Sequence, residues 1–128
     1  MKQVIASKNA PAAIGPYSQA IAVEGAKRMV FLSGQIGLDP TTGQLVTGGI
    51  DAETKQVMKN IEALLKECNA SFAQVVKSTI FLKDFNDFTV VNQIYGSHFP
   101  KEPPARSTVE VARLPRDAKI EIECLVAL

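Results

Sequence analysis

Between Lys119 and Ala127 the chain alternates without a break. Ile120, Ile122, Cys124 and Val126 fall on one side, and Lys119, Glu121, Glu123 and Leu125 on the other. A period of two marks an extended strand whose successive side chains point to opposite faces. Such a strand belongs to a sheet with one face buried and the other carrying charge. Something apolar must cover the first face, and Asp51–Cys68 can supply it. There Val57, Met58, Ile61, Leu64, Leu65 and Cys68 recur at helical spacing, while Lys55, Lys59, Glu62 and Lys66 face away. Asp51 is expected to cap this helix, Glu53 suits its first turn, and Asn69 is the expected stop.

The remaining elements follow the same two periods. Met29–Leu32 reads as a short buried strand, and Val75–Leu82 as a strand with Val76, Ile80 and Leu82 on one face. Asn86 or Asp87 is expected to cap a second helix, whose stripe is Phe88, Val91, Tyr95 and Phe99. Pro100, Pro103 and Pro104 close it. In Ala105–Val111, Arg106, Thr108 and Glu110 share one face. Gly15-Pro16 and Asp39–Gly43 read as turns inside one unit. The order is strands, helix, strand, helix, two strands. The expected fold is α+β: a mixed sheet with two helices packed on one face, in a single domain over residues 1–128. The opposite sheet face is expected to carry Arg106, Thr108, Glu121 and Leu125. That mixture suits a subunit interface or a site.

Composition narrows the function classes. Hydrophobic residues make up 46% and charged residues 21%, which excludes a disordered or fibrous chain. Lysine and arginine total 14 against 13 acidic residues, a net charge of +1, with signs alternating along the chain. Nucleic-acid binding rests on a concentrated basic surface, so it is not expected. No apolar run approaches the roughly 20 residues of a membrane span. Met1–Ala13 has no signal-like apolar core, and the expected location is the cytoplasm. Cys68 and Cys124 read as small core residues.

Most catalytic constellations are absent. With one histidine, His98, and no paired-cysteine spacing, no metal site is expected. Ser33–Gly37 carries glycines but precedes a turn, so it is no nucleotide fingerprint. What remains is Arg106, in a strand read as lying beside the strand that carries Glu121. Two readings stand. The two charges pair across strands, or Arg106 binds an anion through its planar guanidinium fork and leaves Glu121 free to orient a water.

Four separated motifs then carry a resemblance. They are Asn9–Ser18 (NAPAAIGPYS), Ser33–Gln35 (SGQ), Lys83–Phe88 (KDFNDF), and Pro104–Pro115 (PARSTVEVARLP) followed by Ile120–Glu123 (IEIE). In this order, across nearly the whole chain, they resemble the RidA/YjgF family. The resemblance implies a chorismate-mutase-like protomer and a barrel-like homotrimer with ligand sites in the clefts between subunits. It implies hydrolysis of 2-iminopropanoate and 2-iminobutanoate to 2-oxo acids and ammonia, without a cofactor. Carried onto this sequence, the carboxylate-binding arginine is Arg106 and the water-orienting glutamate is Glu121. Tyr17 corresponds to the tyrosine that closes the site, and Ser33, Gly34 and Asn92 to pocket positions. The chain departs from many bacterial members at Thr108, where they carry cysteine. A backbone role at that position survives the change, and a thiol-based one does not. Two other readings fit the family: a non-catalytic trimer that binds small oxo acids, and a ribonuclease or translation inhibitor. The near-neutral charge argues against the last.

Overall fold

The computed structural model describes residues 1–128. Six strands and two helices follow in the order β1 (Lys2–Ile5), β2 (Ala20–Val23), β3 (Met29–Gln35), α1 (Gly49–Glu67), β4 (Val75–Leu82), α2 (Phe88–Gly96), β5 (Ala105–Glu110) and β6 (Ile120–Ala127). The main sheet has the order β3-β6-β4-β5. β4 and β5 are parallel, with α2 as the crossover that parallel strands need, and the other two pairings are antiparallel. This is the expected mixed sheet, with both helices on one face.

The core lies between that face and the helices. From α1 it takes Val57, Met58, Ile61 and Leu65. From β6 it takes Ile120, Ile122, Cys124 and Val126, each 5% exposed or less. Burying one such aliphatic side chain contributes about 1.5–3 kcal/mol, so the α1 stripe alone holds the helix on the sheet. Cys124 is buried, Cys68 is half-buried, and both are free thiols.

The ends of α1 differ in how they are made. Asp51 does not cap it. The helix starts two residues earlier, at Gly49 with Gly48 as its cap, and the two lie at φ 77° and 118°, a positive-φ approach that favours glycine. Asp51 sits inside the first turn and pairs with Lys55 at 2.9 Å. At the other end Asn69 does stop the helix, at φ 59°. Its N–H donates to the Lys66 carbonyl at 3.0 Å, and the Ala70 N–H donates to the Leu65 carbonyl at 2.8 Å. These bonds form a Schellman close. Glu53, which suited only the first turn by sequence, is 3% exposed, and its carboxylate accepts the Lys119 N–H at 2.8 Å. It joins α1 to the start of β6. Before α2, Asp84 caps a short 3-10 turn, Phe85–Asp87, by accepting the Asn86 N–H at 2.9 Å. Asp87 holds the cap position of α2 without a side-chain bond.

Two expectations about faces are corrected. β3 is buried on one side only: Val30 and Leu32 pack on the core, but Met29 is 46% and Phe31 73% exposed. β3 is an edge strand, and no element of the protomer covers its outer face. More consequential, Arg106 and Thr108 do not share a face with Glu121 and Leu125. β4 lies between β5 and β6, so the two strands are not neighbours. Arg106 and Thr108 stand in register with Ser78 and Ile80, both wholly buried on the helix side. Glu121 stands opposite Phe81, and Leu125 opposite Lys77, on the open side.

β1 and β2 form a separate antiparallel ribbon. The Lys2 ammonium fastens it by donating to the carbonyls of Ala73, Val75 and Glu102 at 3.3, 3.2 and 2.8 Å. The loop between its strands returns to β5 at Ser18, whose N–H donates to the Pro104 carbonyl at 3.1 Å. That return brings Tyr17 to the sheet.

Candidate functional site

Arg106 is the second residue of β5, at the edge of the sheet and under α2. Nη1 of its guanidinium donates to Asn92 Oδ1 at 2.8 Å. Three aromatic rings wall it. Cζ lies 5.2 Å from the ring centre of Tyr95, 5.5 Å from Tyr17 and 5.7 Å from Phe88. At these separations a cation is attracted to the ring faces. Burial draws the guanidinium below its ordinary pKa, and the phenols of Tyr95 and Tyr17 oppose this. It remains a cation. No carboxylate meets it, and the protomer's two ion pairs, Lys55–Asp51 and Lys66–Glu62, both lie on α1. A half-buried cation with donors to spare and no counter-charge is built to receive an anion.

The helix explains the convergence. Phe88, Asn92 and Tyr95 are spaced by four and three residues, so α2 turns all three toward β5. Thr108, two residues beyond Arg106 on the same face, has a buried hydroxyl with no hydrogen-bond partner. Tyr17 also anchors its own loop, since its hydroxyl accepts the Ile14 N–H at 3.4 Å.

Glu121, Ser33 and Gly34 gather elsewhere. Between Leu32 and Gln35 the register of β3 on β6 slips. Two residues, Ser33 and Gly34, face the single Glu123. This β-bulge brings the backbone of Gly34 under the carboxylate of Glu121. A Cβ at position 34 would sit 2.8 Å from the Glu121 carboxyl carbon. Glycine there leaves room for a side chain to lie flat over the strand.

The structure therefore brings Arg106, Asn92, Tyr17 and Thr108 to the helix side of one edge. It gathers Glu121, Gly34 and Ser33 on the open side toward the other edge. The reading of Arg106 and Glu121 as cross-strand partners is excluded by their faces and by β4 between them. Tyr95 and Phe88 were read as core alone, and both also face the guanidinium. The signal was present in the stripe: a polar Asn92 lies between two aromatic residues at helical spacing. No three His, Cys, Asp or Glu side chains cluster as a metal site would require. No helix is long and apolar enough to cross a membrane.

Comparison with known proteins places this arrangement. The family model described as Endoribonuclease L-PSP matches residues 7–128. Reactive Intermediate Deaminase A, chloroplastic, of Arabidopsis thaliana is 51% identical over 99% of this chain, which spans 66% of that protein's length. The 2-iminobutanoate/2-iminopropanoate deaminase of Mus musculus is 49% identical, over 98% of this chain and 90% of its own. Among solved structures, that of the YjgF gene product from E. coli has a TM-score of 0.72 and 43% identity, covering 98% of each chain. With matches of this extent and identity, the chain belongs to the Endoribonuclease L-PSP family, the RidA/YjgF family that its four motifs resemble.

Proposed function

We propose that this protein hydrolyses small 2-imino acids to 2-oxo acids and ammonia, as a homotrimer in the cytoplasm, at sites shared between adjacent copies. The observation that carries the proposal is the Arg106 guanidinium, half-buried among three rings with no carboxylate partner. The names of the mouse and Arabidopsis relatives support imine deamination as its use.

Arg106 takes the substrate carboxylate bidentately, and Asn92 holds the fork from behind. The protonated imine carbon is electrophilic and needs a positioned water rather than a covalent nucleophile. Glu121 orients that water and accepts its proton as oxygen bonds to the carbon. The resulting carbinolamine expels ammonia, and the C=N bond has become C=O with one water consumed. Within one protomer Glu121 faces away from Arg106, so the glutamate at each site comes from a neighbouring copy. Ser33 and Gly34 arrive with it, and Tyr17 closes the pocket over Arg106. The open sheet face fits such an assembly. It exposes Phe31 and Val109 (43% exposed) beside a hollow of about 250 Å³ lined by Phe31, Lys77, Thr79, Glu123 and Leu125. Closed cyclic assemblies bury such faces.

The test is a coupled assay in which a dehydratase generates the imine and its decay is followed with and without this protein. Acceleration with matching ammonia release is expected, and sedimentation equilibrium should give about three protomer masses. An unchanged decay rate would end the enzymatic reading, and binding of pyruvate without turnover would favour an oxo-acid-binding trimer. A monomer that is fully active would end the shared site.

A further inference from the structure

A row of side chains crosses the whole main sheet on its helix side. Leu32, Cys124, Ser78 and Arg106 stand next to one another on β3, β6, β4 and β5. Its middle is polar although the core around it is aliphatic. Ser78 is 0% exposed, and its Oγ lies 2.7 Å from the hydroxyl of Tyr95. The Cys124 thiol donates to the same Oγ at 3.8 Å. Burying two hydroxyls and a thiol is unfavourable unless they satisfy one another, and here they do. Phenylalanine, alanine and valine would fill similar volume without that cost. The polar row therefore calls for a reason beyond packing.

Its far end supplies one. Tyr95 is wholly buried, and its ring is the nearest of the three walls to Arg106, at 5.2 Å. The other two rings are placed less firmly: Tyr17 lies in a loop, and Phe88 is the first residue of α2. Tyr95 is fixed at both ends, by the helix backbone and by the buried Ser78 hydroxyl, whereas the Tyr17 hydroxyl is held only within its own loop, by the Ile14 N–H at 3.4 Å. Asn92, one turn earlier on the same helix, grips the guanidinium edge. A hydrogen bond at the edge and a ring against the face together define the plane of a flat group. A guanidinium has five N–H donors, so most remain free for a ligand.

We propose that Tyr95, anchored through Ser78 and Cys124, is a positioning residue that sets the plane of the Arg106 fork for carboxylate binding. This rests on the reading of Arg106 as the carboxylate receptor. The chain offers a direct reporter, because it has two tyrosines and no tryptophan, and both tyrosines flank Arg106. Near-UV tyrosine absorption is therefore a signal from the site itself.

The experiment titrates pyruvate into the wild-type protein and the Tyr95→Phe, Ser78→Ala, double and Arg106→Ala variants, reading tyrosine difference spectra and calorimetry. Imine turnover is measured alongside. Tyr95→Phe and Ser78→Ala should each weaken pyruvate binding and raise KM by roughly three- to tenfold, with kcat within about twofold of wild type. The double variant should be no worse than either single one, because both cut the same link. If Tyr95→Phe fails to fold, Ser78→Ala carries the test alone. Wild-type pyruvate affinity in folded Ser78→Ala and Tyr95→Phe, with only the melting temperature lowered, would overturn the inference. In that case loss of binding in Arg106→Ala would leave the carboxylate reading standing. Wild-type binding in Arg106→Ala would remove both.

Discussion

The two faces of the main sheet are made from the same strands and have opposite chemistry. The helix side is aliphatic, broken by the row from Cys124 through Ser78 to Arg106, and it is covered within the protomer. The open side alternates charge with apolar surface: Lys77, Glu121 and Glu123 beside Phe31, Phe81 and Leu125. One copy completes the first face and leaves the second bare. The difference teaches that folding and function close at different levels. A protomer holds its core alone, and in the proposed assembly it would present its cation and its carboxylate to different neighbours.

The most severe test of this contrast is subunit mixing. Arg106→Ala should nearly abolish turnover, since losing a desolvated charge contact typically costs on the order of 2–5 kcal/mol. Arg106→Lys should also be poor, because an ammonium cannot reproduce the bidentate fork. Glu121→Gln should bind pyruvate normally yet turn over slowly. If the two residues at a site come from different copies, trimers reassembled from equal amounts of Arg106→Ala and Glu121→Gln should recover about a quarter of wild-type activity, the share of sites intact by random assortment. If both residues of each site come from one copy, mixing recovers nothing.

A smaller effect is expected from Gly34→Ala, which acts on the open face alone. The added methyl displaces the Glu121 carboxylate above the bulge. Turnover should fall roughly tenfold, the scale of a misplaced catalytic group, while pyruvate affinity holds. Equal losses in binding and turnover would mean that the faces are not separable in this way.

The mildest lever lies on the covered face and is read in pH. Burial pushes the Cys124 thiol from 9.0 up to about 11 and also raises the Tyr95 phenol. A folded pKa above the unfolded one contributes stability that is present below the unfolded value and lost as pH rises through the folded one. The melting temperature should therefore begin to fall above pH 9.0 and continue falling toward about 11. Cys124→Ala should remove part of that alkaline fall. Superimposable alkaline limbs would rule out the thiol as a contributor.

The sequence made some of this plain and hid the rest for physical reasons. The stripe of α1 and the alternation of β6 are local periods, and the structure has both. The face of Arg106 was not legible, because Arg106, Thr108 and Glu110 make one side wholly polar, against Ser107 and Val109 on the other, and nothing local marks the polar side as the covered one. Its neighbour was equally hidden. That β4 enters between β5 and β6 is set by pairing between distant segments, which no short window contains. Tyr95 read correctly as core, but its hydroxyl finds Ser78 only once α2 crosses β4. Asn92, Ser33 and Gly34 entered through the family resemblance, and geometry then divided them between two groups.

The position of β6 bears on how the chain is made. It follows the other five strands in chain order and is also an inner one, flanked by β3 and β4. Until it emerges, β3 has no partner in the main sheet, and the α1 stripe lacks Ile120, Ile122, Cys124 and Val126 of the core it shares. The nascent protein therefore carries the apolar face of α1 without its β6 cover from the completion of that helix at Glu67 until β6 begins at Ile120, and its main sheet closes as a late, cooperative event. Ribosome-associated chaperones would find their target in this stretch of translation, and a stall before residue 120 would leave an aggregation-prone intermediate rather than a smaller folded domain.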